Sequence, residues 1–319
     1  MQLGTQPLLH NAARAMASGM LSLLLALTAP AAPDPLAIAD ARVAQVSWRL
    51  QTANVALCPQ HAPLPGLSLQ MRDQYGPADR AATGLGDRPT LSAVVPGSAA
   101  ARAGLKVGDA LAGINGTATP VASDKGATFA TVGRADAQLA AALAKGDAMI
   151  VFGDGRSVTL TPDQGCASEV QLLPQKGLNA GADGQIVQIG GKLYDFAAND
   201  DELAAVIAHE LSHNFLGHRN QLDEAGVSTG LFSGLGKNGA KLRQIEFEAD
   251  RLSVWLVARA GYRVDALPPF WARLGQRAGI LISDGTHPGF KERVRRIEAA
   301  VAEVATQRAA GQPLIPPVQ

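Results

Sequence analysis

Two histidines and a glutamate stand within five residues at His209-Glu210-Leu211-Ser212-His213. On an α-helix, residues four apart share one face, offset by about 40° and roughly 6 Å along the axis. Both imidazoles can therefore reach one tetrahedral zinc ion, while Glu210, one step round, can act as a general base on an attacking water. That is the chemistry of zinc-dependent peptide hydrolysis. A core helix with two incidentally paired histidines would show the same five residues, so the surroundings must decide. They predict a helix. Asn199 can cap its N-terminus, Glu202 follows three residues later as in a capping box, and Leu203, Val206, Ile207, Leu211 and Phe215 recur at helical spacing.

A catalytic zinc takes three protein ligands and keeps one position open. Downstream candidates for the third are His218, Glu246 or Glu248, and His287. The metzincin arrangement, with Gly three and His six residues after the second histidine, is absent, because Leu216 and Arg219 occupy those positions. On a continuing helix His218 would be turned about 140° from His213 and would point away from the metal. The stretch Glu246-Phe247-Glu248-Ala249-Asp250 fits better. It opens a second predicted helix, with Ile245, Leu252, Trp255, Leu256 and Ala260 on the apolar side and Gly261 as its stop. Glu246 and Asp250, four apart, face the same way. Glu246 can complete a His-His-Glu set, and Asp250 can accept the ring N–H of a ligating histidine. Glu248 points elsewhere and reads as a solvated surface charge. His287 lies in a loop marked by Gly285, Pro288 and Gly289. It either stands near the metal, stabilising an oxyanion or filling the open position of an idle enzyme, or packs against the following helix.

The combination of His209-Glu210-x-x-His213 with Glu246-x-x-x-Asp250 resembles the HtpX-like and CAAX-prenyl-protease-like zinc metallopeptidases of the gluzincin type. Flanking residues agree: Asn179-Ala180 before a predicted strand, Asn199-Asp200-Asp201-Glu202-Leu203, Ala258-Arg259-Ala260-Gly261-Tyr262, and Thr286-His287-Pro288. The resemblance covers roughly residues 170–300. It implies one Zn2+ per chain held by His209, His213 and Glu246, Glu210 as general base, Asp250 behind a ligand, and a place near the metal for His287.

Residues ahead of that region form a second module. A predicted strand at Leu91–Val95 is followed by Pro96-Gly97-Ser98-Ala99-Ala100-Ala101-Arg102-Ala103-Gly104-Leu105, a strand to Ile114 and an Asn115-Gly116 turn. A helix at Ala135–Ala144 leads to a hairpin of Met149–Phe152 and Ser157–Leu160. This text is similar to the PDZ domains attached to bacterial proteases. The similarity implies capture of an extended peptide by strand addition, with Gly84-Leu85-Gly86 as a candidate carboxylate loop.

Arg14 precedes an apolar run from Met16 to Ala29, and Ala29-Pro30-Ala31 supplies small residues for cleavage. The run is short for a membrane span, so it reads as a removable export signal, with an uncleaved anchor as the alternative. Export makes the two cysteines legible. Cys58 and Cys166, the only ones in the chain, are expected to pair as a disulfide in an oxidising compartment, the alternative being two buried thiols. A formal net charge of zero and few aromatic residues argue against a nucleic-acid surface. Lys291, Arg293, Arg295 and Arg296 read as the solvated face of a C-terminal helix whose core side carries Phe290, Val294, Ile297, Val301 and Val304.

The expected fold is α+β, a PDZ-like β-rich domain followed by a mainly α-helical zincin-type domain with a small sheet. The expected division is a signal at 1–31, a helical or linker segment at 32–67, the PDZ-like domain at 68–165, the metallopeptidase domain at 166–305 and a Pro-containing tail at 306–319. The function that follows is a periplasmic or secreted zinc endopeptidase acting on misfolded or unfolded envelope proteins, with the PDZ module recruiting substrate or regulating access. The strand at Ile186–Ile189 is a candidate edge for the substrate backbone, and the Gly- and Ser-rich stretch Val227–Asn238 a candidate lid. A chaperone or assembly factor on the same fold, or a PDZ adaptor with little proteolysis, is the competing class. A site-2-type intramembrane protease is excluded, because no further run of about twenty apolar residues exists after residue 30. Peripheral membrane association and oligomeric state stay open.

Overall fold

The computed structural model describes residues 35–173, 177–227, 236–278 and 289–317, without the side chains of 236–238. Its first half runs through helix α1 (Pro35–Ala53), β1 (His61–Leu64), β2 (Leu67–Gln70), the short α2 (Arg80–Thr83), β3 (Thr90–Val94), α3 (Ala99–Arg102), β4 (Leu111–Ile114), β5 (Thr117–Ala118), α4 (Ala130–Leu143), β6 (Ala148–Phe152) and β7 (Ser157–Leu160). The second half holds β8 (Asp163–Cys166), β9 (Glu169–Leu173), β10 (Ala180–Ala182), β11 (Ile186–Gly190), α5 (Gly191–Phe196), α6 (Asp200–Phe215), α7 (His218–Glu224), α8 (Gly236–Arg259), α9 (Leu267–Ala278) and α10 (Phe290–Ala309).

In the β-rich part, β2 pairs antiparallel with β3, and a four-stranded sheet runs in the order β5-β4-β6-β7. Asn115 and Gly116 at φ 47 and 78 make the turn between β4 and β5; these left-handed values suit the twist of a two-residue hairpin. The helix expected at Ala135 begins five residues earlier, at Ala130, whose N–H is capped by the Thr128 hydroxyl at 3.1 Å. Leu91, Leu111, Ile114, Ile150 and Leu160 are fully buried between these sheets and α4. Each such side chain stabilises the fold by roughly 1.5–3 kcal/mol.

A separate core fills the second half, where β10-β11-β9 form a sheet with β11 antiparallel to β10 and parallel to β9. Helix α6 packs on it and α8 packs on α6, with α9 and α10 packed on α6 and α8 respectively. This α+β division matches the expected fold class. Helix α1 joins the two halves. Its Val43, Val46 and Leu50 belong to the second core, and Gln51 Nε2 donates to the carbonyls of Cys166 and Ser168 at 2.8 and 2.6 Å. The following β1 pairs antiparallel with β8, placing His61 opposite Cys166. Beside this ladder Cys58 and Cys166 form a disulfide, with Cα atoms 5.6 Å apart. Gly84 ends α2 in the left-handed region at φ 66, so the Gly84-Leu85-Gly86 stretch serves here as a helix stop. No helix among the described residues is long and apolar enough to cross a membrane.

Candidate metal centre

Helix α6 begins where the sequence places it. The Asn199 side chain accepts the Glu202 N–H at 3.1 Å, while Glu202 Oε2 accepts the N–H of Ala198 at 2.8 Å, one residue further out than a standard capping box. Asp200, Asp201 and Glu202 place negative charge on the positive end of the helix dipole. Alanines 204, 205 and 208 are completely buried, so neighbouring elements approach α6 closely on several sides. The helix is thereby held rigidly under the sheet, and His209, Glu210 and His213 are carried on it.

Helix α8 lies across α6 and brings the carboxylates. Glu246 does not open this helix, as the sequence suggested. It sits in the third turn of a helix that starts at Gly236, so its position is set by packing on both sides. His209 Nε2 and His213 Nε2 are 3.2 Å apart, and each lies 3.5 Å from an oxygen of Glu246. Two ligands of one tetrahedral ion, each about 2.1 Å from it, stand roughly 3.4 Å apart. His209, His213 and Glu246 are the group among the described residues that could hold a metal ion. Charge supports the same fit. Glu210, Glu246 and Asp250 against Arg293 leave a net charge of two negatives, beside rings that bind metal in their neutral form.

Asp250 faces the far side of His209, with Oδ1 3.1 Å from Nδ1. A carboxylate there holds the ring proton on Nδ1 and turns the Nε2 lone pair toward the ligand cluster. Behind Asp250 stands Arg293 of α10, donating from Nε to Oδ2 at 2.8 Å and from Nη2 to Oδ1 at 2.6 Å. Its guanidinium stacks on Trp271, 4.4 Å from the ring centroid, and the Trp271 ring meets the edge of His209. Burial works against the charge of Arg293, but Asp250, Glu246 and Glu210 hold it above the ordinary guanidinium range. Burial likewise opposes ionisation of Asp250, and the charge and hydrogen bonds of Arg293 overcome it, so its pKa is lowered. For His209, burial and Arg293 favour the neutral ring. Hydrogen bonds to Asp250 and Glu246 outweigh them and lift the pKa of the metal-free site to about 9.

Three residues differ from their sequence readings. Arg293 is not part of a solvated face but is 3% exposed, because α10 turns this one arginine inward while Arg295 and Arg296 stay outside with Glu292. His218 is outside the ligand group, as the sequence reading has it, but it touches the far side of His213. The α6 helix stops at Leu216, Gly217 adopts φ 64, and α7 restarts with His218 folded back so that its Nδ1 is 2.9 Å from His213 Nδ1. Glu248 is not a free surface charge, since its Oε2 lies 3.2 Å from His218 Nε2. Gly217, the natural helix stop, was the signal for the chain reversal that makes the last two contacts. The edge-strand expectation also changes: among the described residues β11 is central, paired on both sides, and β10 and β9 are the two edges. His287, the leader at 1–31 and all but the ends of the Val227–Asn238 stretch lie outside the described residues.

Two family models match parts of the chain. Residues 163–241 and 239–301 match Peptidase family M48, and residues 66–148 match the PDZ domain. The chain carries an M48 peptidase domain behind a PDZ domain. This bears out the resemblance drawn from the two helix motifs, and the M48 match includes every residue of the cluster described above. Over 147 aligned residues the chain is 28% identical to the mitochondrial metalloendopeptidase OMA1 of Schizosaccharomyces pombe (strain 972 / ATCC 24843), covering 37% of this chain and 44% of that protein. The chain thus spans less than half the length of that relative.

Proposed function

We propose that this M48 protein is an exported zinc endopeptidase that cleaves unfolded or extended polypeptides, with the PDZ domain recruiting substrate or regulating access. The observation that carries the reading is the convergence of two imidazole Nε2 atoms and the Glu246 carboxylate on one spot, with Glu210 next to His209 on the same helix. A zinc ion held by these three residues supplies a Lewis acid for the scissile carbonyl. Glu210 takes a proton from the attacking water and returns it to the leaving amine. Asp250, kept ionised by Arg293, holds the His209 ring in the tautomer and orientation that ligation needs. Strand β10 ends its sheet among the described residues and packs on α6, so an extended substrate can add to that edge with its backbone across the helix. The disulfide and the apolar leader support an oxidising, exported location, and with it envelope proteins as substrates.

The test is cleavage of denatured casein by the purified protein. Activity should vanish with a chelator and return with Zn2+. Glu210→Gln should keep the metal yet cleave about 10²–10⁴-fold more slowly. Cleavage by metal-free protein, or full activity in metal-loaded Glu210→Gln, refutes the assignment.

A further inference from the structure

The two histidines on α6 are supported in unlike ways. His209 has a carboxylate directly against its Nδ1, whereas the Nδ1 of His213 faces another imidazole, that of His218, at 2.9 Å. Two neutral rings whose nitrogens are so close, with no cation between them, cannot both carry protons or both present lone pairs there, so one of them donates. The far nitrogen of His218 decides which. Its Nε2 lies 3.2 Å from Glu248 Oε2, and a carboxylate can only accept. The His218 proton therefore belongs on Nε2, its Nδ1 is an acceptor, and the His213 proton sits on Nδ1. That leaves the His213 Nε2 lone pair for a cation shared with His209 and Glu246, the arrangement a bound metal favours. The reverse arrangement would set a lone pair of His218 against the Glu248 carboxylate and put a proton on His213 Nε2.

We propose that His218 and Glu248 are positioning residues that fix the tautomer and ring orientation of His213 for metal binding, a role that rests on His213 being a ligand. The His218 side chain is 2% exposed, so its ring is held by its surroundings, while Glu248 at 30% closes the line at the surface. The second Glu248 oxygen accepts Gln244 Nε2 at 2.8 Å, which orients the carboxylate on α8. Helix α8 thus serves both histidines. Asp250 reaches His209 directly, and Glu248, about 200° round the helix from Glu246, reaches His213 through the restarted helix α7.

Losing such a supporting partner typically weakens metal binding by about 10–100-fold. The experiment measures zinc affinity by competition with a chromogenic chelator, together with the metal-free thermal midpoint. Wild type, His218→Ala, His218→Gln and Glu248→Gln are compared. His218→Ala should weaken zinc binding by about 10–100-fold. His218→Gln, whose amide oxygen can still accept from His213 Nδ1, should recover most of the loss. Glu248→Gln should fall between the two, since it keeps the shape and removes the charge. A purely structural role would lower the metal-free midpoint and leave zinc affinity in place. Affinities of His218→Ala and Glu248→Gln within about twofold of wild type overturn the proposal. Should His218→Ala not fold, the surface-proximal Glu248→Gln decides alone by the same criterion. A folded wild type that binds no divalent ion would instead remove the metallopeptidase reading itself, and it shows before any variant is compared.

Discussion

Replacing Arg293 by Met tests whether the buried pair behind His209 stabilises the domain as its geometry requires. Met fills a similar volume but carries no charge. Asp250 would keep its contact to His209 and lose both guanidinium donors, at 2.6 and 2.8 Å, in a place where the two partners are 1% and 3% exposed. Above pH 9, where the metal-free His209 ring is neutral and cannot stand in for the lost cation, breaking one side of such a pair leaves an uncompensated buried charge and costs about 3–5 kcal/mol. At about 2–4 °C per kcal/mol for a chain of this size class, the thermal midpoint should drop by about 6–20 °C. The assay is thermal unfolding of chelator-treated protein, followed by tryptophan fluorescence. Two of the three tryptophans, Trp255 and Trp271, are buried in this domain, so the signal reports on it. The double variant Arg293→Met/Asp250→Leu removes both charges and should regain much of the loss, because an apolar pair of similar size replaces an ion pair at little net cost. A drop of less than about 2 °C in the single variant, or effects that simply add in the double variant, would refute the reasoning.

Two further outcomes follow from the same structure. In the metal-free protein the folded-state pKa of His209, about 9, lies above its unfolded value of about 6.5, so this group's stabilisation is complete below pH 6.5 and is lost as pH rises through 9. The thermal midpoint should fall across that window in chelator, and His209→Asn should flatten the slope; a flat wild-type profile contradicts it. Cys58 and Cys166 close a loop 108 residues apart, so the Cys58→Ala/Cys166→Ala variant should lose up to about 4.7 kcal/mol. Urea unfolding reads that loss, and an unchanged midpoint argues against the disulfide as a constraint on the unfolded chain.

Much of the centre was legible because it is local. The Asn199 and Glu202 cap, the apolar spacing of α6 and the four-residue interval of His209 and His213 each follow from helix geometry within one or two turns. The same rule puts Glu246 and Asp250 on one face of α8, although the start of that helix was misplaced by ten residues, at a stretch whose Gly, Asn and Lys residues carry little apolar period. Arg293 was misread for a physical reason: an arginine among Lys291, Arg295 and Arg296 has the pattern of a solvated face, and only its partner shows otherwise. His218 was misread by assuming that α6 continued through Gly217.

By itself, then, the chain's order of residues determined the spacing of His209, Glu210 and His213 on one helix and of Glu246 and Asp250 on another, and the α+β division into two modules. Tertiary structure alone decided that α10 turns one arginine onto Asp250, that α7 folds His218 back on His213, and that β11 lies in the middle of its sheet between β10 and β9. The difference lies in what sets each distance. Residues four apart are held by backbone hydrogen bonds that any helix shares. His209 and Arg293 are 84 residues apart, and what separates them is the angle at which packed helices cross, which depends on every side chain between them.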